Sequence, residues 1–161
     1  MKRALLALVV GATLVNASAG IAEMAEVHKV FRPQDIKWGS TPPSLPAGAE
    51  AAVLYGDPSK EGMFALRVRM PKGYKIAPHT HPKPEVITVI SGQFSLGMGA
   101  TPDRASVESL PAGSFSSMPP GVGHYAFVDE DTVVQISSTG PWSIDYLDPK
   151  DDPRLNVAPA K

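Results

Sequence analysis

Residues 73–92 read GYKIAPHTHPKPEVITVISG and set two histidines, a carboxylate and a β-branched apolar run between two glycines. His79-Thr80-His81 closes an extended segment. Residues i and i+2 of a strand share a face and lie about 6.6 Å apart along it. Two imidazoles so placed can converge on one ion, with metal–nitrogen bonds of about 2.0–2.1 Å. Pro82-Lys83-Pro84 then forces a stiff turn with few conformations. Glu85 opens the run VITVIS (Val86 to Ser91), which reads as a buried strand stopped by Gly92. If the two strands pair, the Glu85 carboxylate can swing onto the histidine face.

Strand patterns continue on both sides. Gly62 to Met70 (GMFALRVRM) alternates Phe64, Leu66, Val68 and Met70 against Ala65, Arg67 and Arg69, a period of two. Ala51 to Tyr55 is a short apolar run closed by the turn Gly56-Asp57-Pro58-Ser59. Downstream, strands are expected at Gln93–Met98, Ser106–Leu110, Ser114–Met118, Tyr125–Val128, Thr132–Ser137 and Trp142–Leu147, most of them parted by glycine, proline or acidic turns. With 17 prolines and 14 glycines in 161 residues, short strands and turns are favoured over long helices. No internal repeat is visible. The reading is one all-β domain, a sandwich or small barrel.

Composition removes several classes of function. The 15 basic and 16 acidic residues nearly balance, so nothing asks for nucleic acid or an anionic membrane as partner. There is no cysteine, which excludes disulfides, thiolate metal sites and a cysteine nucleophile. There is also no G-x-S-x-G and no phosphate loop. Of the four histidines, His28 reads as an ordinary surface residue. His124 differs, because it follows the tight turn Pro119-Pro120-Gly121-Val122-Gly123, which aims the next side chain firmly.

The spacing Gly73-(five)-His79-x-His81-(three)-Glu85-(six)-Gly92 resembles the first cupin motif, and Gly113-(five)-Pro119-x-Gly121-(two)-His124 resembles the second. The asparagine that often ends the second motif would fall at Val128, which puts a turn contact in doubt but no ligand. The motifs cover Gly73 to Val128, and the flanking strands extend the resemblance to roughly residues 50–147. The resemblance implies a cupin jelly-roll β-barrel enclosing one divalent transition metal, with His79, His81, Glu85 and His124 as ligands. Three imidazoles and a carboxylate suit Zn, Cu, Fe, Mn or Ni better than Ca or Mg. Four protein ligands on an octahedral ion leave two positions open, the mark of a chemical or ligand-binding centre.

Strand alternation adds expectations about the pocket. With Glu85 facing in, Ile87 and Val89 face in too; with His79 and His81 in, so does Ala77. Gln135 is a candidate to face inward and orient a substrate, and Tyr125 and Gln135 are the acid–base candidates, although Tyr125 points away from the His124 face unless a bulge intervenes. Arg67 and Arg69 share a face; turned inward they would clamp a carboxylate or phosphate, and turned outward they would be solvated. Phe115, Met118, Trp142 and Tyr146 take a core role by default.

The N-terminus reads as an address. Met1-Lys2-Arg3 is basic, Ala4 to Val15 is an uncharged run of twelve, and Ala17-x-Ala19 is a signal-peptidase pattern. A helix of that length spans only about 18 Å, short of the roughly 30 Å of a bilayer core. The expected organisation is a Sec-type signal peptide (1–19), a proline-rich arm (20–50), the cupin barrel (51–147) and a flexible tail (148–161). The mature protein is then periplasmic or secreted and has no further membrane attachment. A chain exported unfolded takes its metal outside the cytoplasm, where affinity favours Zn or Cu. Within the arm, Trp38 and Leu45 pin it to the domain surface, and its residues 32–50 are expected to be free to reach a neighbour's sheet edge in a homodimer. Two functions fit: a metal-dependent, dioxygenase- or isomerase-like enzyme acting on a small oxygenated metabolite, or a non-catalytic periplasmic cupin that binds a small molecule or senses metal.

Overall fold

The structure is a computed structural model that describes residues 28–155. The segment expected to be a signal peptide lies outside the described residues, as do residues 156–161. The chain divides into two units, residues 1–30 and 31–161. Of the first, only residues 28–30 are described, and His28 is exposed. All the strands belong to the second unit, and among the described residues no helix is long and apolar enough to cross a membrane.

Among the described residues, ten strands form two antiparallel sheets. They are β1 (Glu50–Tyr55), β2 (Gly62–Met70), β3 (Lys75–Thr80), β4 (Glu85–Ser91), β5 (Gln93–Met98), β6 (Glu108–Pro111), β7 (Phe115–Met118), β8 (His124–Val128), β9 (Thr132–Gly140) and β10 (Asp145–Tyr146). One sheet has the order β1-β2-β9-β4-β7 and the other β10-β3-β8-β5-β6. Strands distant in sequence alternate within each sheet, which is the jelly-roll arrangement. The core lies between the sheets, built from Phe64, Leu66, Val68 and Met70 on β2, Ile87 and Val89 on β4, Phe94 and Leu96 on β5, and Val134 on β9.

Turn glycines set the register of the paired strands. Gly92 has φ +75, and an added Cβ would lie 2.5 Å from the carbonyl oxygen of Asp131 and from Oγ1 of Thr132. A side chain there would meet both backbone strain and a collision. Val128, where the second motif departs from its usual ending, is fully buried; its amide donates to the Tyr74 carbonyl at 3.0 Å, and its carbonyl accepts from Gly73 at 2.7 Å. The missing asparagine is therefore replaced by a core residue in a closed backbone pair.

The described parts of both flanks pack on the barrel. The arm does not project away from its own barrel: Gly39 bridges Ala51 on the β1 edge, Arg69 lies over the Trp38 ring at 4.8 Å from its centroid, and Leu45 enters the core. Three prolines close together (Pro42, Pro43, Pro46) leave it few amide donors for a ladder, so it packs through side chains instead. The tail is held as far as Arg154, whose Nη2 donates to the Ile144 carbonyl at 2.9 Å. The strand expected across Trp142–Leu147 shrinks to Asp145–Tyr146, because Trp142 and Ile144 turn into the barrel interior.

Candidate metal centre

Strands β3 and β8 pair antiparallel, with His79 opposite His124. Their register slips between Ile76 and His79, at Ala77-Pro78. Proline has no amide to give the ladder, so a bulge forms there. It resets the alternation: Ile76 and His79 both line the cavity, and Ala77, expected to face in, does not. The bulge also frees the Ala77 carbonyl, which lies 2.7 Å from Nδ1 of His79. Past the end of β3, His81 enters the same space, and the Gly121 amide donates to its carbonyl at 2.9 Å. That bond ties the two motifs together beside the site.

The other two rings are held in the same way. Nδ1 of His81 is 2.6 Å from the Ser143 carbonyl, and Nδ1 of His124 is 3.0 Å from the Val122 carbonyl. A carbonyl only accepts, so each neutral ring carries its proton on Nδ1 and turns the lone pair of Nε2 to the centre. The ring centroids stand 4.2–5.2 Å apart, and the candidate ligand atoms of His79, His81 and His124 all lie within 4.8 Å of one another. These three buried histidines can hold one metal ion.

Glu85, expected as a fourth ligand, approaches two of these histidines from the other sheet but lies outside the group of three whose ligand atoms are all mutually close. Its Oε1 is 3.4 Å from Nε2 of His81 and its Oε2 is 3.2 Å from Nε2 of His124. Burial works against ionisation of this carboxyl, and only positive charge at His124 and His81, on the rings themselves or on a cation between them, holds the group down at about 2. His79 is kept neutral: burial, reinforced by His124, lowers it to about 3. Lone pairs facing a carboxylate in an apolar interior require a positive charge between them. Nε2 of His81 and Oε2 of Glu85 are in fact buried without a hydrogen-bond partner. The donor set thus fits a cation.

The cluster lines a cavity of about 210 Å³. Its other walls are almost wholly apolar: Leu66, Val68 and Met70 from β2, Ile87 from β4, and Val134 and Ile136 from β9, together with Trp142 and Ile144. Val89, expected to face in, does so as a core residue beyond the cavity. Neither acid–base candidate lines it. Gln135 faces the outside, its Oε1 accepting from Nε of Arg67 at 3.2 Å, because the β-branched Val134 and Ile136 claim the inner face of β9. Tyr125 projects from the far face of its sheet, where its hydroxyl accepts from the Asp103 amide at 3.0 Å and donates to the Asp103 carbonyl at 3.1 Å. Arg67 and Arg69 point outward; Nε of Arg69 donates to Glu50 at 2.9 Å.

Sequence reasoning missed two parts of the site. Trp142 stacks on the His81 ring, centroids 4.2 Å apart and planes 15° apart. Pro42, Ser44 and Leu45 of the arm cover the cavity. An aromatic after Gly140-Pro141, and a leucine framed by prolines, were the only local signals. Of the aromatics given a core role by default, Phe115 is exposed and Tyr146 is half-buried, its ring 5.9 Å from that of His79; Met118 is in the core.

The family model described as the ChrR cupin-like domain matches residues 26–143. The chain belongs to this cupin family. Among solved structures, this cupin resembles the polyketide cyclase RemF from Streptomyces resistomycificus (TM-score 0.65, 16% identity, 79% of this chain and 90% of that one). It also resembles an acetylacetone dioxygenase from Acinetobacter johnsonii (TM-score 0.58, 16% identity, 80% and 82%) and KdgF from Halomonas sp. (TM-score 0.54, 19% identity, 69% and 94%). At such identities the likeness shows the fold. No curated protein sequence matches the chain.

Proposed function

We propose that this cupin binds one divalent transition metal through His79, His81 and His124, with Glu85 as fourth ligand, and binds or acts on a small oxygenated metabolite beside it. The observation that supports this is the convergence of three Nε2 atoms and a partnerless carboxylate oxygen on the wall of an apolar cavity. A bound ion would supply Lewis acidity and, if redox-active, a route to oxygen chemistry. The chain's own residues do the rest. The backbone carbonyls of Ala77, Ser143 and Val122 fix the three rings, and the apolar walls exclude water. No lysine or arginine among the described residues lines the cavity, so a phosphorylated or polyanionic ligand would lack counter-charges there.

Between the two function classes, the cavity favours chemistry that needs no separate acid–base residue, or binding alone. Apart from the metal set, its polar side chains are those of Ser44 and Trp142. Acetylacetone, the compound after which one structural neighbour is named, is small and uncharged in its neutral form and makes a fitting first probe. Oxygen uptake with acetylacetone and with simple diols or keto acids, measured with Fe, Mn, Ni, Cu and Zn in turn, tests the enzyme reading. Saturable binding without turnover supports the binder. We further propose export by the N-terminal segment, with Zn or Cu as the ion acquired outside the cytoplasm; full occupancy by Fe or Mn in protein purified from periplasm would overturn that choice. A homodimer is proposed too, and a monomeric mass by light scattering refutes it.

A further inference from the structure

We propose that residues 41–49 are the movable wall of the metal cavity, a strap latched by the hydroxyls of Tyr74 and Tyr146, and that an ion or ligand passes when the strap lifts. The inference rests on the reading that the cavity serves an ion held by the histidines. His79, His81, Glu85 and His124 are each at most 4% exposed, so an ion or ligand reaches them only past the residues that line the cavity, and the least firmly held of those sets the passage. Most of the wall cannot move cheaply. Leu66, Val68, Ile87, Val134 and Ile136 sit on β2, β4 and β9, each paired on both sides. Trp142 to Ile144 is pinned by three backbone groups: the Trp142 amide to the Pro58 carbonyl at 2.8 Å, the Ser143 carbonyl to His81, and the Ile144 carbonyl to Arg154.

The strap is built differently. Between the Gly39 bridge and β1 it joins no ladder, and it folds on itself through the Leu45 amide to the Pro42 carbonyl at 2.9 Å and the Thr41 hydroxyl to the Ala49 carbonyl. Its prolines keep it stiff, the Gly39 bridge to Ala51 fixes one end, and Gly48 (φ +107) near the other supplies a joint. It is tied to the barrel by Leu45 and Ala49 in the core and by two phenols. The Tyr146 hydroxyl donates to the Ser44 carbonyl at 2.8 Å, and the Tyr74 hydroxyl donates to the Pro46 carbonyl. Tyr146 also stands directly opposite His79 across the β3–β10 pair. One latch therefore shares a strand pair with a metal-facing histidine, so opening is linked to the centre through a short, rigid path.

The test uses the full chain loaded with Co²⁺, followed by its visible absorption while excess EDTA extracts the ion. Tyr74→Phe/Tyr146→Phe and Leu45→Ala are expected to speed extraction about tenfold or more, with the equilibrium Kd for Co²⁺ changed by less than about twofold. An unchanged rate overturns the strap, as does a rise in Kd that accounts for the faster loss. Hydrogen exchange on the unsubstituted protein gives an arm that no folding defect can confuse. The Leu45 and Ala49 amides are expected to exchange about 100-fold faster than those of Val134 and Ile136, and equal protection overturns the proposal. If the unsubstituted protein takes up no Co²⁺, the metal reading fails, and the exchange arm still decides whether the strap opens.

Discussion

The indole of Trp142 lies nearly parallel to the imidazole of His81, 15° between planes and 4.2 Å between centroids. His81 stands beyond the end of β3, so no ladder holds its backbone on both sides. Its ring is fixed instead from its edge by the Ser143 carbonyl and across its face by Trp142, which is itself braced edge-on by Phe64 at 5.7 Å. Replacing the stack should loosen one of three nitrogen donors. Trp142→Ala is expected to weaken Zn²⁺ binding about 10- to 100-fold, with Trp142→Phe recovering much of the loss. Competition with a chromophoric chelator measures both.

Removing a donor outright should separate metal binding from folding. At about 100 times its Kd, an ion that binds only the folded chain adds about 2.7 kcal/mol, a rise in Tm of about 5–10 °C for a chain of this size. Zn²⁺ is expected to raise the Tm of the unsubstituted protein by that amount and to leave His81→Ala where it was. Glu85→Gln should bind at least about 100-fold more weakly, because a neutral amide no longer balances the ion. Calorimetric melts with and without Zn²⁺ read all three.

Which parts of this were legible in the sequence follows from the range of each signal. The pairing of His79, His81 and Glu85 lies within one short stretch of chain, and the turn before His124 is written in Pro119 to Gly123, so local spacing carried them. The two-residue period of β2 put Leu66 and Val68 on one face for the same reason. Ala77 was misplaced because alternation assumes an unbroken ladder, and a proline at position 78 breaks it. The face of Gln135 stayed open because its polarity suggested a function, whereas burial of Val134 and the cavity-lining Ile136 set the face of β9. Leu45 over the cavity and Trp142 on His81 depend on contacts that cross many residues of chain. A short motif has no means to encode them.

Acidification of the metal-free protein should cost stability through His79. Its unfolded pKa is the ordinary 6.5, and burial, with His124, lowers the folded value to about 3. Well above pH 6.5 neither state holds the proton, so the group contributes nothing to the slope. Between about pH 6.5 and 3 the unfolded chain binds a proton that the folded chain refuses, and stability falls with pH by up to about 1.4 kcal/mol per unit. Urea melts at about pH 7, 5.5 and 4.5 are expected to show a steeper decline for the unsubstituted apoprotein than for His79→Asn. Parallel declines would show that this ring is not kept neutral by its surroundings.

Tyr125 provides the contrast, since its role is in the frame of the barrel. Its ring occupies the space that Gly97 leaves on the neighbouring strand, where an added Cβ would come within 2.1 Å of the ring carbons. Gly97 has no positive φ, so an alanine there meets collision without backbone strain. Gly97→Ala is expected to destabilise by about 1–3 kcal/mol, and by much less in a Tyr125→Leu background, where the obstacle is gone. Tyr125→Phe removes the partner of the Asp103 amide, while the Asp103 carbonyl keeps the Ser106 amide at 3.2 Å, so the cost is about 1 kcal/mol. Because the hydroxyl faces away from the histidines, Zn²⁺ affinity and any turnover should stay unchanged in Tyr125→Phe. Loss of either without loss of stability would return this residue to the catalytic account.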